Sequence, residues 1–358
     1  MGQLRVLIAG GGTGGHIIPA LAVARELVER YEAAVLFVGT ARGLENRLVP
    51  DAGFSLRLIK VGQFNNVSPL VRMKTLSGLP FSVLACRRLI RDFGPSVVFG
   101  VGGYASWPAM TAALLSRLPT MAFEPNAIPG LVNRQIGRFV RGAAVNFPQA
   151  AAWFHNAEVT GIPVRSEFFS LREPLPGAAP HLLIFGGSQG ARIFNRTIPK
   201  LVVALLEAMP GLTILHQAGA HHAESTAEAY VASGADPTRW QVCSFLDDMP
   251  AQFERATLVL ARGGASTVAE LAAAGKPSLL VPFAAAADGH QLRNAQAMVT
   301  AGAAAMLVET QLEVSLLSTL TILLKDSARL ATMALAARAE AHPGAARRIA
   351  EILAEMAT

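Results

Sequence analysis

Apolar positions along the chain come in short dense runs. Each run is followed by a glycine-rich turn and then by a longer stretch with helical spacing. The first run, Leu4-Arg5-Val6-Leu7-Ile8-Ala9, ends in Gly10-Gly11-Gly12. A brief apolar run closed by turn residues reads as a buried parallel strand. Apolar positions at Leu21, Val23, Leu27 and Val28 then predict a helix, and Ala33 to Val38 a second strand. Val97-Val98-Phe99 and Pro119 to Phe123 continue the alternation. This is the pattern of a doubly wound α/β domain.

The alternation pauses at Gly161-Ile162-Pro163-Val164, and a Pro/Gly-rich stretch runs from Pro174 to Pro180. It then restarts with the strand His181 to Phe185, the turn Gly186-Gly187-Ser188-Gln189-Gly190, and a helix. The predicted boundary lies near residue 161, with a first domain over 1–161 and a second over 162–342. Helical spacing from Ser327 to Ala341 stops at Pro343-Gly344, and Ala345 to Met356 forms a last amphipathic helix. This helix is expected to cross back, so that 343–358 complete the first domain.

Composition narrows the classes. Hydrophobic residues make up 52% and charged residues 16%, enough apolar material for two cores. The two cysteines, Cys86 and Cys243, are far apart and in no metal spacing, and they read as free thiols. The net charge of +6 admits nucleic acid, an anionic membrane or an anionic substrate as partner. No zinc spacing and no basic run interleaved with aromatics is present, so nucleic acid is not expected. The opening apolar run is too short for a signal-peptide core. Asp92 to Arg117 is uncharged between its ends, but Gly100, Gly102, Gly103 and Pro108 break it. It reads as strand, loop and helix rather than as a membrane span.

Four segments carry candidate chemistry. Gly10, Gly12 and Gly15 meet the G-x-G-x-x-G spacing, which lets backbone amides and a helix N-terminus approach an anion. A nicotinamide site would want an acidic residue closing the second strand. Val38 runs instead into Gly39-Thr40, which counts against a dehydrogenase. His16 sits where loop becomes helix, where a positive dipole end favours a neutral imidazole, the form a general base needs. The other reading is a packed histidine that caps its helix. The loop Gly186 to Gly190 lacks the P-loop lysine. It either holds phosphate through amides and Ser188 or is a plain strand-to-helix turn.

The densest constellation is Ala261-Arg262-Gly263-Gly264-Ala265-Ser266-Thr267-Val268-Ala269-Glu270. Ala265, Ser266 and Thr267 open a helix at the right place for a diphosphate. Glu270 lies three residues after Thr267, so it is either a capping-box carboxylate or an acceptor of both ribose hydroxyls. His290 and Gln291, in Asp288-Gly289-His290-Gln291, either bond sugar hydroxyls or merely start a helix. No D-x-D carboxylate pair is present, so a helix end and an arginine are the simpler way to stabilise a leaving diphosphate.

Taken together, Gly11-Gly12-Thr13-Gly14-Gly15-His16, Gly102-Gly103-Tyr104-Ala105-Ser106, Glu124-Pro125-Asn126, Gly161-Ile162-Pro163-Val164-Arg165, Gly186 to Ala191, Phe245 to Met249 and the Glu270 and His290-Gln291 segments resemble the MurG family, in the family's order and over nearly the whole chain. These are bacterial UDP-GlcNAc transferases that convert lipid I to lipid II in peptidoglycan synthesis. The resemblance implies the GT-B fold: two Rossmann-like doubly wound domains with the active site in the cleft between them. It implies inverting transfer to the MurNAc O4 hydroxyl of undecaprenyl-pyrophosphoryl-MurNAc-pentapeptide, with His16 as base.

Further roles follow from the same resemblance. Glu270 takes the ribose, and Leu246, with Phe245 and Met249, reads uracil. Ser188, Ala265, Ser266, Thr267 and Arg165 hold the diphosphate, and Asn126, His290 and Gln291 position GlcNAc. Thr13, Gly14, Gly15 and Tyr104 face the acceptor. No tightly bound cofactor is implied, and a divalent cation, if it takes part, has no protein ligand motif here. Trp107, Phe123, Pro125 and Ala284 to Ala287 depart from the usual pattern of the family.

The stretch Pro69 to Arg91 mixes Leu70, Leu76, Leu79 and Phe81 with Arg72, Lys74, Arg87 and Arg88. An apolar patch rimmed by cations suits an anionic bilayer. The alternative is a core-facing helix with solvated arginines behind it. The expected location is peripheral, on the cytoplasmic face of the plasma membrane. Three other readings stand beside this one. A different GT-B transferase and a sugar-nucleotide epimerase would share the fold. A non-catalytic membrane adaptor would release no UDP.

Overall fold

The structure, a computed structural model, describes residues 2–62, 69–172 and 177–358, with side chains except at 69–76 and 287. Part of the Pro/Gly-rich stretch 174–180 therefore lies outside the described residues. The chain forms two compact units, Met1–Pro163 with Gly344–Thr358, and Val164–Pro343.

The first unit alternates strand and helix in chain order. It contains β1 (Arg5–Gly10), α1 (Gly14–Tyr31), β2 (Ala34–Gly39), α2 (Glu45–Asp51), β3 (Ser55–Leu58), α3 (Pro69–Phe93) and β4 (Val97–Gly102). It continues with α4 (Ser106–Leu115), β5 (Thr120–Glu124), α5 (Leu131–Ile136), β6 (Gly142–Val145), α6 (Pro148–Ala151) and β7 (Ala157–Val159). The sheet order is β3-β2-β1-β4-β5-β6-β7, and the strand pairs are parallel. Strands buried on both faces need unbroken apolar runs, and β1 and β4 supply them. Leu7, Ala9 and Val98 of the sheet pack with Met110 of α4 and with Cys86 and Ile90 of α3.

The second unit repeats the plan. It contains β8 (His181–Phe185), α7 (Arg192–Ala208), β9 (Thr213–Gln217), α8 (Ala223–Ala232), β10 (Trp240–Cys243), α9 (Met249–Arg255) and β11 (Leu258–Ala261). Then come α10 (Ala265–Ala274), β12 (Ser278–Leu280), α11 (His290–Thr300), β13 (Ala304–Met306), α12 (Leu312–Lys325) and α13 (Ser327–Ala339). Its sheet runs β10-β9-β8-β11-β12-β13, again with parallel pairs. Each sheet reverses its order once, between β1 and β4 and between β8 and β11. In such sheets ligands bind at the carboxyl ends of the strands flanking the reversal.

The last helix, α14 (Ala345–Ala357), belongs to the first unit. Gly344 adopts the left-handed conformation ahead of it, at φ 79°. Its apolar face buries Ile349, Ala350, Leu353 and Met356, and it packs on α1. Arg348 forks onto Glu158 at 2.7 and 3.0 Å, and Arg141 donates to the Met356 carbonyl at 3.1 Å. Among the described residues no helix is long and apolar enough to cross a membrane.

The second unit buries two histidines. His216 is fully buried, with Nδ1 3.1 Å from the Tyr230 hydroxyl. Burial pushes its pKa down to about 3, and burial with the Arg255 charge takes His181 down to about 4. Both folded values lie below the ordinary 6.5, so protons bind the unfolded chain more readily. Their contribution to stability is whole above pH 6.5 and is lost as pH falls from there toward 4 and 3. Melting temperatures measured from pH 8 to 4 should therefore fall through this window, and less steeply in His216→Leu. Parallel slopes in the two proteins would remove His216 as the cause.

Candidate functional site

In the first unit the sheet reversal brings two glycine loops side by side. The loop after β1 runs Gly11-Gly12-Thr13 into α1, and the loop after β4 runs Gly103-Tyr104-Ala105 into α4. The Gly11 amide donates to the Gly102 carbonyl at 3.4 Å. A side chain at Gly103 would collide with the Gly11 carbonyl, so only glycine permits the approach. His16 lies in the first turn of α1 and is half-buried. Its Nδ1 is 3.3 Å from the Thr13 hydroxyl, and a Cβ at Gly102 would stand 3.1 Å from its Nε2 edge. Thr13 is the N-cap residue by backbone conformation but makes no side-chain cap bond, so its hydroxyl is spent on the imidazole.

Glu124 ends β5 and is buried. It accepts from the Asn126 amide (3.0 Å), Asn126 Nδ2 (3.1 Å), the Gly130 amide (2.9 Å) and Asn133 Nδ2 (2.8 Å). The carboxylate thus fixes the loop that presents Asn126, which belongs to the first unit. Phe123, a departure from the family pattern, is buried core against Phe99. Trp107, another departure, donates to Gln135 at 2.9 Å.

In the second unit the reversal pairs the Gly186–Gly190 loop with the N-terminus of α10. Ala265, Ser266 and Thr267 are the first three residues of α10, so their amides lie in the turn that has no intrahelical acceptors. The N-cap is Gly264, not Thr267, and no side chain caps this end. The capping-box reading of Glu270 therefore fails, because Glu270 is the sixth residue of the helix. Burial pushes its carboxyl up to about 7, and the nearby Arg165 guanidinium pulls in the opposite direction. Arg165 itself is exposed and stacks over Phe168 at 5.1 Å.

Ser188 and Phe245 are exposed on their loops, Leu246 is half-buried, and Met249 opens α9 behind the N-cap Asp248. His290 opens α11, with Nε2 3.7 Å from Asp288 and Nδ1 buried. Gln291 Oε1 accepts from the Phe283 amide at 2.9 Å. Ala284 and Ala285 are exposed loop residues ahead of this segment.

A cavity of about 880 Å³ is lined by Gly190, Arg192, His222, Arg262, Phe283 and Gln291, among others. Of the predicted donor residues it includes Gln291 alone. Sequence reading missed Arg262, which is buried, ion-paired to Glu309 at 2.6 Å and flanked at 5.2 Å by Phe194 and Phe283. It donates to the Val281 carbonyl at 3.1 Å and so braces the strand end that leads into α10. Among the described residues no group of His, Cys, Asp or Glu could hold a metal ion.

Helix α3 shows two faces. Ser82, Cys86 and Ile90 are buried, whereas Phe81, Leu84, Arg87 and Arg88 are exposed, and Leu79 is half-buried. Core packing and an exposed apolar–basic face thus coexist on one helix. The side chains of Leu70, Arg72, Lys74 and Leu76 lie outside the described residues.

Residues 6–145 match the glycosyltransferase family 28 N-terminal domain, and residues 181–349 match the glycosyltransferase family 28 C-terminal domain. The chain belongs to glycosyltransferase family 28. It is 46% identical over 353 residues to a protein of Solibacter usitatus named UDP-N-acetylglucosamine–N-acetylmuramyl-(pentapeptide) pyrophosphoryl-undecaprenol N-acetylglucosamine transferase, covering 98% of this chain and 96% of that one. A relative of the same name from Anaeromyxobacter is 42% identical, over 99% and 93% of the two chains. The crystal structure of Acinetobacter baumannii MurG superposes with a TM-score of 0.82 at 29% identity, over 98% and 99%. A UDP-GlcNAc 2-epimerase from Neisseria meningitidis bound to UDP-GlcNAc shares the fold, with a TM-score of 0.66 at 13% identity over 98% and 100%. The GT-B expectation of paired Rossmann-like domains holds.

Proposed function

We propose that this family 28 transferase moves GlcNAc from UDP-GlcNAc to the MurNAc O4 hydroxyl of lipid I, with inversion at the anomeric carbon, giving lipid II for peptidoglycan synthesis. The observation that carries the reading is 46% identity, spread over 98% of the chain, to a transferase named for this reaction. The uncapped start of α10 supports it. In the second unit the amides of Ala265, Ser266 and Thr267, with Ser188 and Arg165, would neutralise the diphosphate as it leaves. Glu270 would accept the ribose hydroxyls, and Phe245, Leu246 and Met249 would flank the uracil. Asn126, His290 and Gln291 would orient GlcNAc.

In the first unit His16, held by Thr13, would take the proton from the acceptor hydroxyl as its oxygen attacks the anomeric carbon. The C–O bond to UDP breaks as the new glycosidic bond forms, so one proton ends on the imidazole and the electron pair on UDP. Gly14, Gly15 and Tyr104 would line the acceptor side.

Peripheral attachment to the anionic cytoplasmic face of the plasma membrane belongs to the same reading. Its support is the exposed Phe81 and Leu84 beside Arg87 and Arg88, at about 1 kcal/mol per basic residue near such a surface.

Calorimetry with UDP-GlcNAc, UDP-glucose and NADH, followed by UDP release on adding a lipid I analogue, tests the proposal. Selective UDP-GlcNAc binding with acceptor-dependent UDP release is expected. Conversion of UDP-GlcNAc to another UDP-sugar without an acceptor would favour an epimerase-like activity, and absence of uridine nucleotide binding would sink the reading.

A further inference from the structure

A glycine loop ahead of a helix normally offers its amides to a ligand's phosphate. Here the chain fills that position itself. Glu45, fully buried, reaches from the start of α2 into the loop after β1. Its Oε2 accepts from the Gly12 amide at 2.8 Å, and its Oε1 accepts from the Thr40 amide at 2.8 Å and the Thr40 hydroxyl at 3.0 Å. Gly11, Gly39 and Gly43 close around the carboxylate so tightly that a Cβ at any of them would overlap it. The Gly11 amide is spent on Gly102. An incoming phosphate at Gly11–Gly12 would find no donor there and would face a carboxylate.

Positive charge lies next door. A cavity of about 1190 Å³ begins at Gly11, Gly12 and Tyr104 and is walled by Arg42, Lys60 and Arg88 together with Leu58, Phe81 and Leu89. The three cations are exposed, and none forms an ion pair with another described residue. Asp92, the one acid among the described lining residues, is 3.6 Å from Arg91. Leu58 is 49% and Phe81 74% exposed, so apolar surface stands uncovered beside these cations. Cations together with open aliphatic and aromatic side chains on the wall of one cavity fit a molecule with an anionic head and a hydrocarbon chain.

We propose that this cavity seats the pyrophosphate and first isoprene units of a polyprenyl acceptor, with Arg42, Lys60 and Arg88 taking the charge that the Glu45-filled loop refuses. The assignment rests on the acceptor named above. It makes Arg42, Lys60 and Arg88 binding residues that act on acceptor affinity and not on donor affinity.

Farnesyl pyrophosphate is the probe, titrated into the full-length protein with inorganic pyrophosphate and phosphatidylglycerol vesicles in parallel. Wild-type protein should bind farnesyl pyrophosphate at least tenfold more tightly than inorganic pyrophosphate, because only the former uses the apolar wall. The exposed double replacement Arg42→Ala/Lys60→Ala should weaken farnesyl pyrophosphate at least about tenfold, the span expected from losing charge-assisted contacts. It should raise the acceptor KM similarly, with kcat and UDP-GlcNAc binding within about twofold.

Unchanged farnesyl pyrophosphate affinity in the double variant overturns the proposal, as does absence of binding to wild type. If Arg88→Ala lowers vesicle binding and leaves farnesyl pyrophosphate affinity unchanged, Arg88 serves the bilayer only and the three-cation seat is wrong. Farnesyl pyrophosphate binding without any UDP-GlcNAc binding would instead fault the donor reading and leave this cavity standing.

Discussion

His16→Ala is expected to lower kcat by about 10²–10⁴-fold, the usual contribution of a general base, with UDP-GlcNAc affinity within twofold of wild type. The split follows from where the residue sits. His16 belongs to the first unit, whereas Glu270, Arg165 and the start of α10 belong to the second. Its ring is held from one side by the Thr13 hydroxyl at 3.3 Å and bounded on the other by the Gly102 backbone. An alanine there removes the imidazole without opening a core, because the ring is only half-buried. Initial rates of UDP release under saturating donor and acceptor provide the measurement. Turnover at the wild-type level would take His16 out of the proton transfer.

The second large effect concerns Glu270. Glu270→Gln should weaken UDP binding by about 10- to 100-fold, since a bond to a charged acceptor is worth roughly 1.5–3 kcal/mol. In wild type the carboxyl titrates near 7 because burial resists its charge more than Arg165 favours it. Accepting from two ribose hydroxyls, as proposed, would require the ionised form, so affinity should be flat above pH 7 and fall about tenfold per unit below it. The variant should show no such slope.

Stability runs the other way. A folded pKa above the ordinary 4.5 means that the fold prefers the protonated acid. The unfolding free energy then drops as pH rises from 4.5 to 7, by at most a few kcal/mol for a shift of this size. Glu270→Gln should therefore melt higher than wild type at pH 8 and not at pH 4.5, while binding donor less well. Equal melting temperatures at pH 8 would show that the carboxylate carries no such strain.

Strand and loop positions were legible because their causes are local. Gly10, Gly12 and Gly186 to Gly190 mark turns by composition, and the runs ending at Ala9 and Phe185 mark buried strands by pattern. What could not be read was set by tertiary approach. Glu45 looks like any acidic residue at a helix start until the β2–α2 turn folds it under Gly12. The hint was the pair Gly39 and Gly43 spaced around Thr40, which leaves room for a side chain to turn inward. Glu270 shows the converse case, in which spacing left a cap open beside the ribose reading. Three-residue spacing from Thr267 suggested a cap, but Gly263 must pass close to the Gln291 carbonyl, and the helix begins immediately after Gly264. Arg262 escaped notice because its partner, Glu309, lies far along the chain.

Helix α14 imposes an order on the making of this molecule. The first unit is laid down first but lacks the helix that covers the flank of α1 until all of the second unit has left the ribosome. The face of α1 that meets α14 must wait, shielded or half-formed, while a later-born unit assembles ahead of it. Any messenger that stops short of residue 344 would yield a finished second unit joined to an unsealed first unit. Such a product should betray itself to cellular proteases through the unit that was translated earliest.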